Sequence, residues 1–211
     1  MTLQQALRTS GTRNWQLMVL LALLAAPILW FIQHNALMYV AYDAKNYGPF
    51  WSRRFGLIPH IIGGVVAILV GLVQLWLGAT GRTHKLHRTL GKIYLGAVTV
   101  GSLAGFYLAL TTGEPLSYGS GLFFLSFAWV LTTSMGYLAS RRKAFDQHRQ
   151  WMIRSYIVTF AFVSDRLFEQ FLSGLNVAPL AEIDAMLAWA SWTLPLLLAE
   201  PFLQYRRLRR Y

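Results

Sequence analysis

The chain has 211 residues, of which 55% are hydrophobic and only 13% are charged, with a formal net charge of +11 and no cysteine. Soluble domains carry about 25% charged residues, so this composition excludes an ordinary soluble domain. A sequence without cysteine also excludes disulfides, zinc fingers and iron–sulfur clusters.

Uncharged apolar windows recur along the chain at lengths that suit a bilayer. Leu17–Phe31, Ile61–Ala79 and Leu122–Leu138 contain no charged residue, and a helix needs about 20 mostly apolar residues to cross the hydrocarbon core. The sequence therefore predicts an all-α, polytopic membrane protein whose helices form a single transmembrane domain. Six membrane-spanning helices are expected at about residues 15–33, 57–79, 89–111, 121–139, 150–173 and 185–204.

Basic residues cluster in every second connection between the predicted helices. They are Arg8, Arg13, Arg82, Lys85, Arg88, Lys92, Arg141, Arg142, Lys143, Arg149, Arg206, Arg207, Arg209 and Arg210. The short connections at 113–119 and 175–184 contain no Lys or Arg. The positive-inside rule therefore predicts that both termini lie in the cytoplasm. Because these clusters flank apolar spans, they indicate contact with a lipid bilayer and not with nucleic acid.

The first outer connection, residues 34–55, departs from this charge pattern. It contains Lys45, Arg53 and Arg54 together with several aromatic residues. Aromatic rings favour the membrane–water interface. We expect this connection to lie along the membrane surface.

Three of the predicted helices carry a small and polar face led by a histidine, if successive residues are placed 100° apart. The second helix aligns His60, Gly64, Ala67, Gly71, Gln74 and Gly78. The third, entered from the turn at 84–88, aligns His87, Gly91, Tyr94, Val98, Gly101 and Gly105. The fifth aligns His148, Met152, Ser155, Thr159, Phe162, Arg166 and Glu169. Such faces look inward, where small residues allow close helix approach or, equally, the binding of a planar cofactor.

The cytoplasmic ends of the third and fifth helices place His87 and His148 at the same depth. Histidine is the usual axial ligand of haem iron, and helical bundles build cofactor sites from ligands on facing helices. The sequence therefore predicts a haem b site in which these two histidines bind the iron. The residues expected around the cofactor are His60, Arg88, Tyr94, Met152, Ser155 and Arg149. The basic residues expected to pair with the propionates are Arg82, Lys85, Arg88, Arg141 and Arg149.

Simpler interpretations of the same histidines stay open. An interfacial histidine beside lysines is often only a solvated residue, and His84 is the best example here. His60 lies at the opposite end of the bundle and could simply be a hydrogen-bonded core residue. A second haem at that end would have only His60 and His34 as candidate ligands, so a second haem is not expected.

A group of charged residues occupies the outer third of the fifth predicted helix. Asp165, Arg166 and Glu169, with His60 and Gln74, form a predicted polar outer pocket, because intramembrane charges are expensive and usually paired. This pocket favours a second hypothesis, a cofactor-free transporter or sensor of small molecules or protons. An internal salt bridge or a structural membrane subunit would account for the same residues. Arg154, nearer the cytoplasmic end, is expected to anchor at the interface.

The blocks HRTLGKIY at 87–94 and HRQWMIRSY at 148–156, with HIIGG at 60–64 and Arg166, carry a family resemblance. Over about residues 56–170 the chain resembles a bacterial family of predicted membrane proteins, domain of unknown function 2306. This resemblance implies a multi-pass protein of the bacterial inner membrane but no activity. The arrangement is also similar, more loosely, to six-helix transmembrane cytochromes b. That similarity implies an oxidoreductase or electron-transfer component that passes electrons between a quinol or small reductant and a redox partner protein.

Overall fold

The chain is described by a computed structural model that covers the backbone of residues 3–81 and 83–208 and the side chains of residues 15–81 and 83–205. Within these ranges every regular element is a helix. Several basic residues that enter the topology prediction lie outside the described side chains: Arg8, Arg13, Arg82, Arg206, Arg207, Arg209 and Arg210. The all-α class is confirmed for the described part of the chain.

The α-helices of the described chain are α1 (Leu3–Phe31), α2 (Ala44–Tyr47), α3 (Arg54–Thr80), α4 (His84–Leu110), α5 (Leu116–Arg141), α6 (Phe145–Thr159), α7 (Ala161–Gly174) and α8 (Leu180–Leu208). A π-helical turn (Ile32–Ala36) and two 3-10 segments (Leu37–Val40 and Gly48–Arg53) flank α2 between α1 and α3. The helices extend beyond the predicted apolar windows because polar and basic residues continue them. The predicted turn at 84–88, for example, is the first turn of α4.

Segments long and apolar enough to cross a membrane number five in the described chain: Trp15–Val40, Ala44–Thr80, His84–Leu110, Leu116–Arg141 and Leu180–Tyr205. The outside of the bundle carries large apolar side chains, and Leu23, Leu103 and Leu110 are each at least 65% exposed. Soluble proteins rarely expose contiguous apolar surface of this kind. The chain is therefore a membrane protein whose outer surface contacts the lipid bilayer.

The fifth predicted helix, 150–173, is interrupted at Phe160. Thr159 Oγ1 donates to the carbonyl of Ser155 at 2.8 Å, and the Phe160 N–H donates to the carbonyl of Tyr156 at 2.9 Å. Hydroxyl bonding to the preceding turn bends helices, and α7 starts afresh at the next residue. The prediction of one continuous helix is wrong here, and neither half reaches the 18 residues of a membrane-spanning segment by itself.

Close backbone approach holds α3 against its neighbours. A Cβ added at Gly63 would lie 2.7 Å from the backbone nitrogen of Gly101 on α4. At Gly71 an added Cβ would lie 2.5 Å from the ring of Tyr156 and 3.1 Å from the ring of Tyr94. Gly63 and Gly71 therefore serve close packing, and at Gly71 tyrosine side chains fill the groove that the sequence offered to a planar cofactor.

The segment between α1 and α3 folds into an aromatic cluster around Tyr47, which is only 2% exposed. Its ring meets those of Tyr39, Tyr42 and Trp51 nearly edge-on, with centroids 5.1, 5.7 and 5.6 Å away. Arg54 Nε donates to Tyr42 Oη at 2.9 Å, and its guanidinium lies 4.5 Å from the Trp51 ring centroid. A basic residue that departs from the predicted charge pattern is thus held by aromatic rings.

Candidate functional site

Two histidines face each other at one end of the bundle, here termed the inner end; the opposite end is termed the outer end. His87 lies in the first turn of α4 and His148 in the first turn of α6. Their ring centroids are 6.3 Å apart and the rings are nearly perpendicular, at 87°. Both side chains are half-buried, whereas His84 is exposed. The structure therefore brings the two predicted ligands together and leaves His84 outside.

The His148 ring is oriented by a backbone carbonyl. Its Nδ1 lies 2.8 Å from the carbonyl oxygen of Gly136 on α5. A carbonyl only accepts, so Nδ1 carries the hydrogen and Nε2 keeps its lone pair; histidines that bind metals usually donate their other N–H in this way. A Cβ at Gly136 would lie 2.6 Å from Met152 Sδ. Met152 thus packs at the glycine that orients His148.

The His87 side chain lies against α3. Gln74 Nε2 donates to the backbone carbonyl of His87 at 2.7 Å. A Cβ at Gly78, one turn after Gln74, would lie 3.8 Å from His87 Cε1, and one at Gly91 would lie 3.2 Å from Gln74 Nε2. His87 Nδ1 and Gln74 Oε1 are both buried and have no hydrogen-bond partner among the described residues. The inner site therefore contains two polar atoms that are buried and unpartnered there.

Positive charge surrounds the mouth of this site. Arg88 and Arg149 directly follow the two histidines, and both are exposed, as is Lys85 one half-turn before His87. Exposed guanidinium groups at this position are suited to carboxylates or phosphates, which they bind through charge-assisted hydrogen bonds. The predicted basic surroundings of the two histidines are therefore present at the inner end.

Tyr94 and Ser155, predicted to act on the cofactor, instead hydrogen-bond to each other at 2.8 Å in the bundle centre. Each lies seven residues beyond its histidine, which is about 10 Å along the helix. The same network includes Tyr94–Thr159 at 2.7 Å, Thr133–Ser155 at 2.7 Å and Trp129 Nε1 to Thr159 at 2.8 Å. It joins α4, α5 and α6 in the bundle centre, away from the two histidines.

The donors and acceptors in this network can be assigned by starting from Thr159. Thr159 Oγ1 donates to the Ser155 carbonyl, so it can only accept from Tyr94 and from Trp129. Tyr94 then accepts from Ser155 Oγ, which in turn accepts from Thr133. Every hydroxyl group of this network thus donates one hydrogen bond, and the last of these bonds is accepted by a backbone carbonyl. This arrangement binds three helices together next to the interruption at Phe160.

His60, in the first half of α3, is separated from the inner site. Its Nδ1 lies 2.9 Å from the carbonyl oxygen of Gly101, and its ring meets Phe162 edge-on with centroids 5.4 Å apart. Gln74 lies 14 residues further along α3, which is about 21 Å. The assignment of Gln74 to an outer pocket with His60 is therefore wrong, because its amide contacts His87 at the inner end.

The charged residues of α7 pair with one another. Arg166 forms an ion pair with Glu169 and lies 3.8 Å from Asp165, measured from Nε to Oδ2. Arg166 also lies within electrostatic range of Tyr118 and Asp184 on the neighbouring outer segments. The predicted grouping of Asp165, Arg166 and Glu169 is present, and His60 is held by Gly101 and Phe162 instead.

A strong ion pair that the sequence analysis missed joins α6 to α8. Arg154 Nη2 lies 2.7 Å from both carboxylate oxygens of Glu200, and its Nε donates to Glu200 at 3.0 Å. The Arg154 guanidinium also stands 4.9 Å from the Trp151 ring centroid. Its side chain is only 13% exposed, so the prediction of a snorkelling anchor is wrong. The available signal was a lone acid in the inner half of the last apolar span.

Comparison with known proteins identifies the family but supplies no characterised relative. The family model described as "Predicted membrane protein (DUF2306)" matches residues 57–203, which extends the predicted family region to the last helix. The search of curated proteins and the search of solved structures each returned no match, so the similarity to six-helix cytochromes b stays a prediction. With a match over most of its length, the chain belongs to the DUF2306 family of predicted membrane proteins.

Proposed function

We propose that the protein binds one haem b at its inner end, which His87 and His148 would hold through their imidazole nitrogens, and that the haem would supply electron transfer. The observation that carries this proposal is the spacing of the two rings. An imidazole nitrogen binds a metal ion at about 2 Å, so two histidines can hold one iron only where their rings lie close together. The separation in the structure is 6.3 Å.

The donor set also favours haem over other metal centres. Among the described residues no group of three or more His, Cys, Asp or Glu side chains is placed to hold a metal ion. A bare transition metal normally needs three or four protein ligands, whereas a porphyrin supplies four and leaves two for the protein. Haem iron with two histidine ligands transfers single electrons. The carbonyl-bound Nδ1 of His148 leaves its Nε2 free for such a group.

The remaining parts of the proposal concern surroundings and topology. Arg88 and Arg149 would hold the propionates, a membrane quinol or small reductant would donate the electron, and a redox protein would accept it. We place the chain in the bacterial inner membrane with both termini in the cytoplasm. In this topology α6 and α7 together form the sixth crossing, from the inner end to the outer end.

The first test is the visible spectrum of detergent-purified protein, oxidised and then reduced with dithionite, after expression with a haem precursor. Sharp reduced α and Soret bands are expected, with a haem content near one per chain. His87→Ala and His148→Ala should each abolish these bands, while the matched control His84→Ala, an exposed neighbour in the same turn, should retain them. A colourless wild-type protein, or full haem in both ligand variants, would overturn the assignment.

The topology has its own test, because the sequence contains no cysteine. Single cysteines at Ser117 and Lys143 can therefore be labelled without any background reaction. A membrane-impermeant maleimide added to intact cells should label Ser117→Cys and not Lys143→Cys. The opposite pattern would invert the proposed orientation.

A second candidate function is a cofactor-free carrier or sensor for small molecules or protons. The observation in its favour is the half-buried group of Asp165, Arg166 and Glu169, whose charges stand in a largely apolar helix. This function requires that Arg166→Gln or Glu169→Gln abolish transport across vesicles while His148→Ala leaves it intact. It also requires that the purified protein be colourless, which separates it from the haem proposal in one preparation.

A further inference from the structure

The amide of Gln74 has a fixed orientation at the inner site. Only its NH₂ group can donate to the carbonyl of His87, from which Nε2 lies 2.7 Å away. The amide oxygen, Oε1, is thereby turned away from that carbonyl but stays beside the same residue. A buried amide oxygen without a donor loses its bond to water and gains nothing in return, so a hydrogen-bond donor to Gln74 Oε1 would stabilise the site.

The complementary group belongs to His87. Its Nδ1 is buried and has no hydrogen-bond partner among the described residues. The His87 ring lies against α3 between Gln74 and Gly78, since a Cβ at Gly78 would contact its Cε1 at 3.8 Å. One atom is an obligatory acceptor and the other carries a hydrogen in one of the two neutral tautomers. The acceptor and the potential donor thus belong to two residues that already contact each other through the Gln74 NH₂ group.

We infer that Gln74 is the positioning residue of His87: its Oε1 accepts a hydrogen bond from His87 Nδ1–H and so fixes the tautomer that leaves Nε2 free. His148 already has this arrangement, with the Gly136 carbonyl as acceptor at 2.8 Å. The two histidines would then present equivalent nitrogens to each other. In its consequence for iron this inference rests on the proposed function, but the tautomer of His87 is a property of the protein without any bound group.

The decisive measurement is ¹⁵N NMR of the histidine rings in protein free of haem. The chain contains five histidines, and a His87→Asn variant assigns the signal of interest. In the wild type, His87 is expected as the Nδ1–H tautomer. Gln74→Met is nearly isosteric and removes both amide contacts, whereas an ionised Gln74→Glu keeps only the acceptor. The Nδ1–H tautomer should be lost in the Met variant and kept in the Glu variant.

The same spectra contain a folding control. His148, whose Nδ1 is held by the Gly136 carbonyl, should keep its Nδ1–H tautomer in both Gln74 variants, so a change of tautomer confined to His87 cannot come from unfolding. An Nε2–H tautomer of His87 in the wild type, or an Nδ1–H tautomer that survives in Gln74→Met, would overturn the inference. Should the Met variant fail to fold, loss of the Nδ1–H tautomer in the Glu variant would overturn it as well.

The midpoint potential of haem-loaded protein gives an independent outcome. A hydrogen bond from Nδ1–H makes a histidine ligand more basic, which favours ferric iron. Gln74→Met should therefore retain haem and raise the midpoint potential, whereas Gln74→Glu should lower it. A wild type that binds no haem but shows the expected tautomers would refute the proposed function alone. Unchanged tautomers and potentials in a haem-bound Gln74→Met variant would refute the role of Gln74 alone.

Discussion

Two adjacent glycines on α3 provide a matched test of how the bundle is packed. A Cβ at Gly63 would lie 2.7 Å from the carbonyl oxygen of Ala97 and 2.7 and 2.8 Å from the backbone of Gly101, whereas a Cβ at Gly64 meets nothing within 4 Å. The contacts at Gly63 are with backbone atoms, which cannot rotate away. Gly63→Ala should therefore push α3 and α4 apart, and Gly64→Ala should not.

The size of the effect follows from the distances. Ordinary contacts begin at 3.4 Å, so the helices must separate by about 0.7 Å, a gap that forfeits a quarter to a half of the dispersion energy of each affected contact. Overpacking of this kind costs about 1–3 kcal/mol. The upper end of this range is expected here, because the added Cβ meets backbone atoms, which cannot rotate away. Both variants gain about 1 kcal/mol of helix propensity. The free energy of unfolding of Gly63→Ala should therefore be about 3 kcal/mol lower than that of Gly64→Ala.

The assay is reversible unfolding in mixed detergent micelles, followed by tryptophan fluorescence, with both variants and the wild type in parallel. Gly64→Ala should be equal to the wild type or more stable, which makes it the control for expression and insertion. Equal stability of Gly63→Ala and Gly64→Ala would refute the close approach of α3 and α4 at this point.

Three further outcomes are expected. Tyr94→Phe and Ser155→Ala should each lower the free energy of unfolding in the bilayer by about 0.6–1.7 kcal/mol, as measured by steric trapping. The haem content, measured by the absorption spectrum, should not change. Loss of haem at full stability would contradict a purely structural role of the network. A double-mutant cycle on Arg154→Ala and Glu200→Ala should give a coupling of about 1 kcal/mol, since Glu200 is 42% exposed and partly screened, and a coupling of zero would refute the pair. Hydrogen bonds from the backbone and side chain of Asn46 hold the pKa of Asp43 below its ordinary value of 3.8. Its contribution to the cap of α2 should therefore be complete above about pH 4 and disappear as the pH falls through the lowered pKa. The change is measured as the pH-dependent part of the tryptophan emission between pH 6 and pH 2 that is present in the wild type and absent in Asp43→Ala; equal pH dependence of the two proteins would contradict the cap.

The apolar windows and the small-residue faces predicted most of the fold because they report directly on lipid exposure and close packing. Tyr94, Val98 and Gly101, aligned from the sequence at 100° per residue, are all buried. The interruption at Phe160 could not be predicted, since no proline or glycine marks it. Thr159 bonds back to its own helix at this point, but Thr99 and Thr132 make the same bond within unbroken helices, so a threonine in an apolar span does not reveal where a helix stops.

The part of the candidate site made by two residues at the same membrane depth could be predicted. The contribution of the third helix, α3, could not. His87 and His148 could be paired from topology, because both open a helix at the same end. Gln74 was assigned to the wrong end, since helical phase fixes the face of a residue but not the neighbour it meets across the bundle. The pair of Arg154 with Glu200 was missed for the same reason: the contact depends on how α8 packs against α6.

The central hydrogen-bond network limits what the two ends of the bundle can do together. A proton path needs groups that both donate and accept at each step, but the network ends on the Ser155 carbonyl and on the Trp129 N–H, which only accepts and only donates. His60 lies about 21 Å along α3 from the level of the inner site and is held by Gly101. Within the described residues this network therefore offers no proton path between His60 and the inner histidine pair, because its two ends cannot pass a proton on.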